Sequence, residues 1–84
     1  MTYAVTILRS AQKQLAKVDT QTRSRIVSAI HALTDNPRPQ DCKKLTGRAA
    51  WRIRVGMYRV IYEIQDKELV VLVITIGHRR EVYQ

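Results

Sequence analysis

Residues 3–8 (YAVTIL) are apolar and partly β-branched, which predicts an opening strand before Arg9 and Ser10 introduce a polar turn. Ser10 is the expected N-cap of a first helix. In that helix Ala11, Leu15 and Val18 fall at i, i+4 and i+7, one apolar stripe, while Gln12, Lys13 and Lys17 take the opposite face. Asp19 is placed to cap a second helix, where Ile26, Ile30 and Leu33 repeat the spacing, Val27 and Ala29 widen the stripe, and Asn36-Pro37 ends it. Two amphipathic helices joined by so few residues predict an αα-hairpin laid on a sheet.

From Asn36 to Thr46 (NPRPQDCKKLT) both prolines and several turn formers gather, which reads as one long connection. Beyond it the period changes to two. Trp51, Ile53 and Val55 alternate with Arg52 and Arg54, then Tyr58, Val60, Tyr62 and Ile64 alternate with Arg59, Ile61 and Glu63, giving two strands about a turn near Gly56. Gln65 to Lys67 turns the chain into ELVVLVITI (68–76), whose nearly unbroken apolar run suits a central strand. The order β-α-α-β-β-β predicts an α+β fold: a mainly antiparallel four-stranded sheet with the helical hairpin packed on one face. At 84 residues the chain is read as a single domain, 1–84, and its 45% hydrophobic content excludes intrinsic disorder.

Charge changes this picture. Fifteen Lys and Arg against seven Asp and Glu leave +8 at neutral pH, and ten of the fifteen are arginine, whose planar fork of donors suits phosphate. Nucleic acid leads the expected partners, with an acidic protein segment as another. Cys42 is the single cysteine, so no internal disulfide forms, no Cys/His zinc cluster exists, and a reducing cytoplasmic setting is expected. No secretory leader pattern opens the chain, and the longest apolar run, Leu69 to Ile76, is far too short to span a bilayer.

The candidate chemistry follows from where the cations fall. Lys43, Lys44, Arg48, Arg52, Arg54 and Arg59 occupy seventeen residues that hold no acid. The i, i+2 spacing of Arg52 and Arg54 sets both on one side of a strand, and Arg59 across the turn can share it. Clustering like charges costs stability unless an anion neutralises it, so a phosphate site is favoured over a merely solvated face. His78, Arg79, Arg80 and Tyr83 follow the presumed central strand. Imidazole transfers protons near neutral pH, and phosphodiester cleavage needs a proton acceptor, a donor for the leaving oxygen and cations for the developing charge. The seven acids are scattered, so a two-metal nuclease site is not expected and no cofactor is called for. Metal-free cleavage most simply uses the ribose 2′-OH, which favours RNA over DNA. Trp51, Tyr58 and Tyr62 fall in the apolar register and read as core, leaving Tyr83 to stack on a base.

KKLTGRAAWRIRVGMYRVIYEI, a long apolar strand and then GHRREVY form an ordered set that resembles the RelE/ParE superfamily of bacterial toxin-antitoxin systems, specifically its RelE-like branch. The resemblance covers nearly the whole chain. It implies an endoribonuclease that cuts mRNA in the ribosomal A site by 2′-OH attack, without a metal, until a cognate antitoxin neutralises it. It also implies that Arg59 and Arg79 serve the scissile phosphate, that Tyr83 stacks on or orients a nucleotide, and that Arg52 and Arg54 stand where relatives carry basic strand residues. Those relatives have lysines there, one of them thought to act as a base. A guanidinium does not readily lose a proton, so His78 is the expected substitute. Thr46 stands where an arginine is expected beside the loop glycine, leaving Arg48 as a substitute contact. Two alternatives share the fold: a ParE-like gyrase inhibitor, and an RNA- or ribosome-binding module without catalysis.

Overall fold

A computed structural model describes residues 2–78. Strand β1 (Ala4–Ile7) leads into helices α1 (Arg9–Ala16) and α2 (Thr20–Ala32), followed by strands β2 (Lys43–Lys44), β3 (Trp51–Val55), β4 (Tyr58–Gln65) and β5 (Val70–His78). The sheet order is β1-β5-β4-β3-β2. Strand β1 runs parallel to β5 and every other neighbour is antiparallel, so the meander β3-β4-β5 is closed on one side by the strand that opens the chain.

Five strands form rather than four. The addition is β2, two lysines inside the segment read as a connection, pairing Lys43 with Arg52 and Lys44 with Trp51. The Leu45 N–H donates to the Ala50 carbonyl at 2.9 Å, which holds the loop between β2 and β3 closed.

Ser10 is not the cap of α1. The Leu8 N–H still donates to the Val73 carbonyl on β5, so Leu8 is the last extended residue and the helix begins at Arg9, one position before Ser10. Asp19 does cap α2: its carboxylate accepts from the Thr22 N–H at 3.0 Å, a bond that also holds the carboxyl below its usual range. Helix α2 stops at Ala32, ahead of Asn36-Pro37, and Thr34 Oγ1 donates to the His31 carbonyl just past its end. Val27 does not widen the apolar stripe, because it is about a hundred degrees round the helix from Ile26 and leaves the sheet; it is exposed.

Both helices pack on one face. Ala11, Val18, Ile26, Ile30 and Leu33 meet Ile53, Val55, Val60, Tyr62, Val71, Val73 and Ile76 in a single core. Trp51 and Tyr58 are only half-buried at its border, whereas Tyr62 is fully buried. On β5 the alternation is broken: Ile61 faces Thr75 but Tyr62 faces Val73, leaving Ile74 as an extra residue. This bulge lets Val73 and Ile76, three apart, both reach the core.

The long connection is pinned at the β4-β5 turn. Arg38 forks onto Asp66 at 2.9 and 3.3 Å, Tyr3 Oη donates to the same carboxylate at 2.7 Å, and the guanidinium lies 5.2 Å from the centre of the Trp51 ring. Beneath, the Tyr62 hydroxyl donates to the Pro37 carbonyl at 2.8 Å. Burial holds that phenol well above its ordinary value, so it remains a donor.

Two outcomes follow. Tyr62→Phe strips a buried carbonyl of its donor and should cost about 1 to 2 kcal/mol; a thermal melt should then fall by about 5 to 15 °C for a domain of this size. The Arg38 and Tyr3 hydrogen bonds hold the Asp66 carboxyl below its usual value. Its contribution to stability is therefore present above the ordinary carboxylate range and is lost as pH falls through the depressed value. Melts across a pH series should show wild type above Asp66→Asn at pH 7, the gap closing in acid.

Candidate nucleic-acid interface

Strands β3 and β4 join through Gly56 and Met57, with Val55 opposite Tyr58. Gly56 has φ +59°, and a positive φ at the first position of a two-residue hairpin turn belongs to a type that glycine alone enters without strain. Because this turn fixes the register, Arg54 lies directly opposite Arg59, and Arg52 opposite Ile61. Ile53, Val55, Val60 and Tyr62 face the helices, so the three arginines face the other way.

Two cross-strand rows result on the helix-free side. One runs Lys43, Arg52, Ile61, Thr75; the other, nearer the turn, runs Arg54, Arg59, Gly77. Exposure differs sharply within them: Arg54 and Lys43 are exposed, while Arg52 retains 7% of its surface and Arg59 only 2%. Lys44 pairs with Trp51 and so takes the helix side, and Arg48 is exposed in the loop between β2 and β3. Glu63 is the one carboxylate that the described strands place on the arginine side, two residues beyond Ile61. The end of the face nearest the turn is therefore cationic, with one exposed guanidinium beside a sheltered one. The exposed Arg54 guanidinium carries the planar fork of donors that suits a phosphate.

His78 does not join this face by its position on the strand. It pairs with Tyr58, in line with Ile76 and Val60 of the core, and its ring sits 5.7 Å from the Tyr58 ring at 81°. Around it are Gln14 of α1 and, just past that helix, Lys17 and Val18. From sequence, Lys17 falls on the polar side of the first helix, Gln14 carries no signal of its own, and Tyr58 reads as core alone. Arg79, Arg80 and Tyr83 lie outside the described residues.

Comparison with known proteins bears on this geometry. Residues 5–83 match the family described as the ParE toxin of type II toxin-antitoxin system, parDE. The chain belongs to the RelE/ParE toxin superfamily. Among solved structures, the archaeal RelE-RelB complex from Pyrococcus horikoshii OT3 contains a chain 30% identical, superposing with TM-score 0.84 over 94% of this chain and 97% of that one. The toxin-antitoxin complex RelBE2 from Mycobacterium tuberculosis gives 26% identity and TM-score 0.82 over 94% and 100% of the two chains. The intact E. coli RelBE complex gives 25% and 0.80 over 90% and 95%. No curated protein matches the sequence. The RelE-like α+β fold and type II toxin membership expected from GHRREVY and the basic hairpin thus stand. Among the described residues, no helix is long and apolar enough to cross a membrane.

If the Arg54 and Arg59 pair of this superfamily member receives an anion, inorganic phosphate or sulfate should stabilise the fold. Binding at a hundred times the dissociation constant contributes about 2.7 kcal/mol. A thermal-shift titration should therefore raise the melting temperature of wild type, with a smaller increment in Arg54→Ala.

Proposed function

We propose that this chain is a ribosome-dependent endoribonuclease that cuts mRNA in the A site without a metal and thereby stops translation, held in check by a cognate antitoxin. The observation carrying the proposal is the opposed pair Arg54 and Arg59 on the helix-free face, beside Arg52 and Lys43. The net charge of +8 supports a polyanionic substrate. The RelE-RelB composition of the neighbouring structures supports an antitoxin partner.

The reaction would be a transesterification. The ribose 2′-oxygen attacks the adjacent phosphorus as its proton passes to a base, the bond from phosphorus to the 5′-oxygen breaks, and that oxygen takes up a proton. The products are a 2′,3′-cyclic phosphate and a 5′-hydroxyl. Arg59 and Arg79 would neutralise the charge that builds on the phosphoryl oxygens, with Tyr83 stacking on or orienting the nucleotide. Lys43, Lys44, Arg48, Arg52, Arg54 and Arg80 would hold flanking phosphates. A base is still required, and the strand position of His78 on the helix side disfavours it for a phosphate held by Arg59.

A second reading is kept because the matching family description names ParE: a gyrase-directed poison would use the same fold without a catalytic set. In-vitro translation of a defined mRNA, with new 5′ ends mapped by primer extension, separates the two. Cuts at ribosome-occupied codons should drop about 10²- to 10³-fold in Arg59→Ala and in Arg79→Ala. Intact mRNA with normal translation would reject the ribonuclease, and gyrase-dependent DNA cleavage would then be the deciding assay.

A further inference from the structure

The bulge on β5 gives His78 a surrounding that neither the arginine face nor the core accounts for. Past Ile74 the alternation is reset, so His78 lies on the same side as Ile76 and stands beside Tyr58 at the end of the sheet. There a cleft of about 370 Å³ opens between the last turn of α1 and the ends of β4 and β5. That volume lies at the low end of the range of small-molecule pockets. Its floor is Val18 and Ile76, and its walls are Tyr58, His78, Gln14 and Lys17.

Each wall supplies a different part of one recognition chemistry. The Tyr58 and His78 rings meet edge to face, at 5.7 Å and 81°, which presents flat π surface beside the apolar floor. Gln14 is fixed rather than mobile, because its Oε1 accepts from the Ile76 N–H at 2.8 Å. That bond orients the carboxamide and leaves its NH₂ group with donors to offer. Lys17 is exposed at the end of α1 and adds an ammonium. Flat rings, an oriented amide donor and a cation are what a nucleotide needs: a surface for its base, a partner for the base edge and a charge for its phosphate.

The position also fits. Arg59 and Gly77 are opposite each other on the arginine face, and their chain neighbours Tyr58 and His78 are opposite each other on the helix face. The two sites are therefore separated by the thickness of the sheet at its hairpin end. An RNA strand whose phosphate rests by Arg54 and Arg59 can turn round that end.

We infer that the cleft between α1 and the Tyr58-His78 pair is a nucleobase subsite, which holds a base flanking the phosphate bound on the arginine face and makes His78 a recognition residue. The inference rests on the RNA-directed reading above.

The test uses the whole protein and a fully 2′-O-methylated hexaribonucleotide, which offers no internal nucleophile, together with a set of the same oligomers each lacking one base. Affinity is read by fluorescence anisotropy across salt concentrations. In wild type, one abasic position should weaken binding about 5- to 150-fold, the loss that stacking predicts. His78→Ala should weaken the intact oligomer by a similar factor and be nearly insensitive to that abasic position. Gln14→Glu keeps an acceptor for the Ile76 N–H, so the fold should melt as wild type while RNA binding weakens. An abasic penalty equal in wild type and His78→Ala overturns the subsite. In that case a salt slope that becomes shallower in Arg54→Ala leaves the RNA reading standing. No binding of any oligomer at low salt overturns the subsite, and the ribosome-dependent reading is then decided by the translation assay. Binding of a polyglutamate peptide in place of RNA, lost in His78→Ala, would reassign the cleft to a protein partner.

Discussion

The alternation of β3 and β4 against the helix pair is the constraint on which the arginine-bearing surface depends. Ile53, Val55, Val60 and Tyr62 must all face α1 and α2 to complete the core. Burying an apolar side chain of this size is worth about 1.5 to 3 kcal/mol, so the four together far outweigh the repulsion of a cross-strand like-charge pair, about 1 kcal/mol or less. Arg54 and Arg59 have no choice of side. A one-residue slip would put both arginines into the core, which is why the turn at Gly56, with its positive φ, matters beyond its two residues. The cationic face is a by-product of packing that the fold can maintain without any ligand.

Register likewise decides why His78 and the arginines fall on opposite sides of the sheet. A strand with strict alternation would carry Val71, Val73, Thr75 and Gly77 toward the helices and deliver His78 to the arginines. The extra residue Ile74 inverts everything after it. Ile76 gains the core, Gly77 falls opposite Arg59, and the imidazole is handed to α1. Gly77, which ends the row of Arg54 and Arg59, adds no side chain to it.

Much of this was legible from the chain alone. The 3.6-residue spacing of Ala11, Leu15 and Val18 and of Ile26, Ile30 and Leu33 predicts both helices, Asp19 announces the second, and the alternation from Trp51 to Ile64 predicts the hairpin and the common side of its arginines. What was hidden is what has no period. Strand β2 is two residues long, and a pattern of period two cannot be seen in one repeat. The Leu8 hydrogen bond to β5 that displaces Ser10 as cap joins residues 65 positions apart, and the Tyr3 to Asp66 bond spans 63. In LVVLVITI the bulge is invisible, because every residue near Ile74 is apolar or β-branched enough to fit either face. The side of the sheet on which His78 falls is therefore set by a bulge that the run does not announce.

The acids complete the argument. Among the described strands, Glu63 is the one carboxylate on the arginine side, and it lies away from the hairpin turn. Two of the seven acids are held by local work elsewhere: Asp19 by the first turn of α2 and Asp66 by Arg38 and Tyr3 at the β4-β5 turn. The second of these sits at the opposite end of β4 from Arg59, so the clasp that secures the long connection lies a strand's length from the cations. Arg38 is spent on that clasp, paired to a carboxylate and laid against Trp51, whereas Arg54 is exposed at the turn. Both are arginines on the surface of one small domain. What distinguishes them is that a carboxylate answers the first, while the residue opposite the second across the hairpin is another arginine, so register alone sets Arg54 beside a like charge.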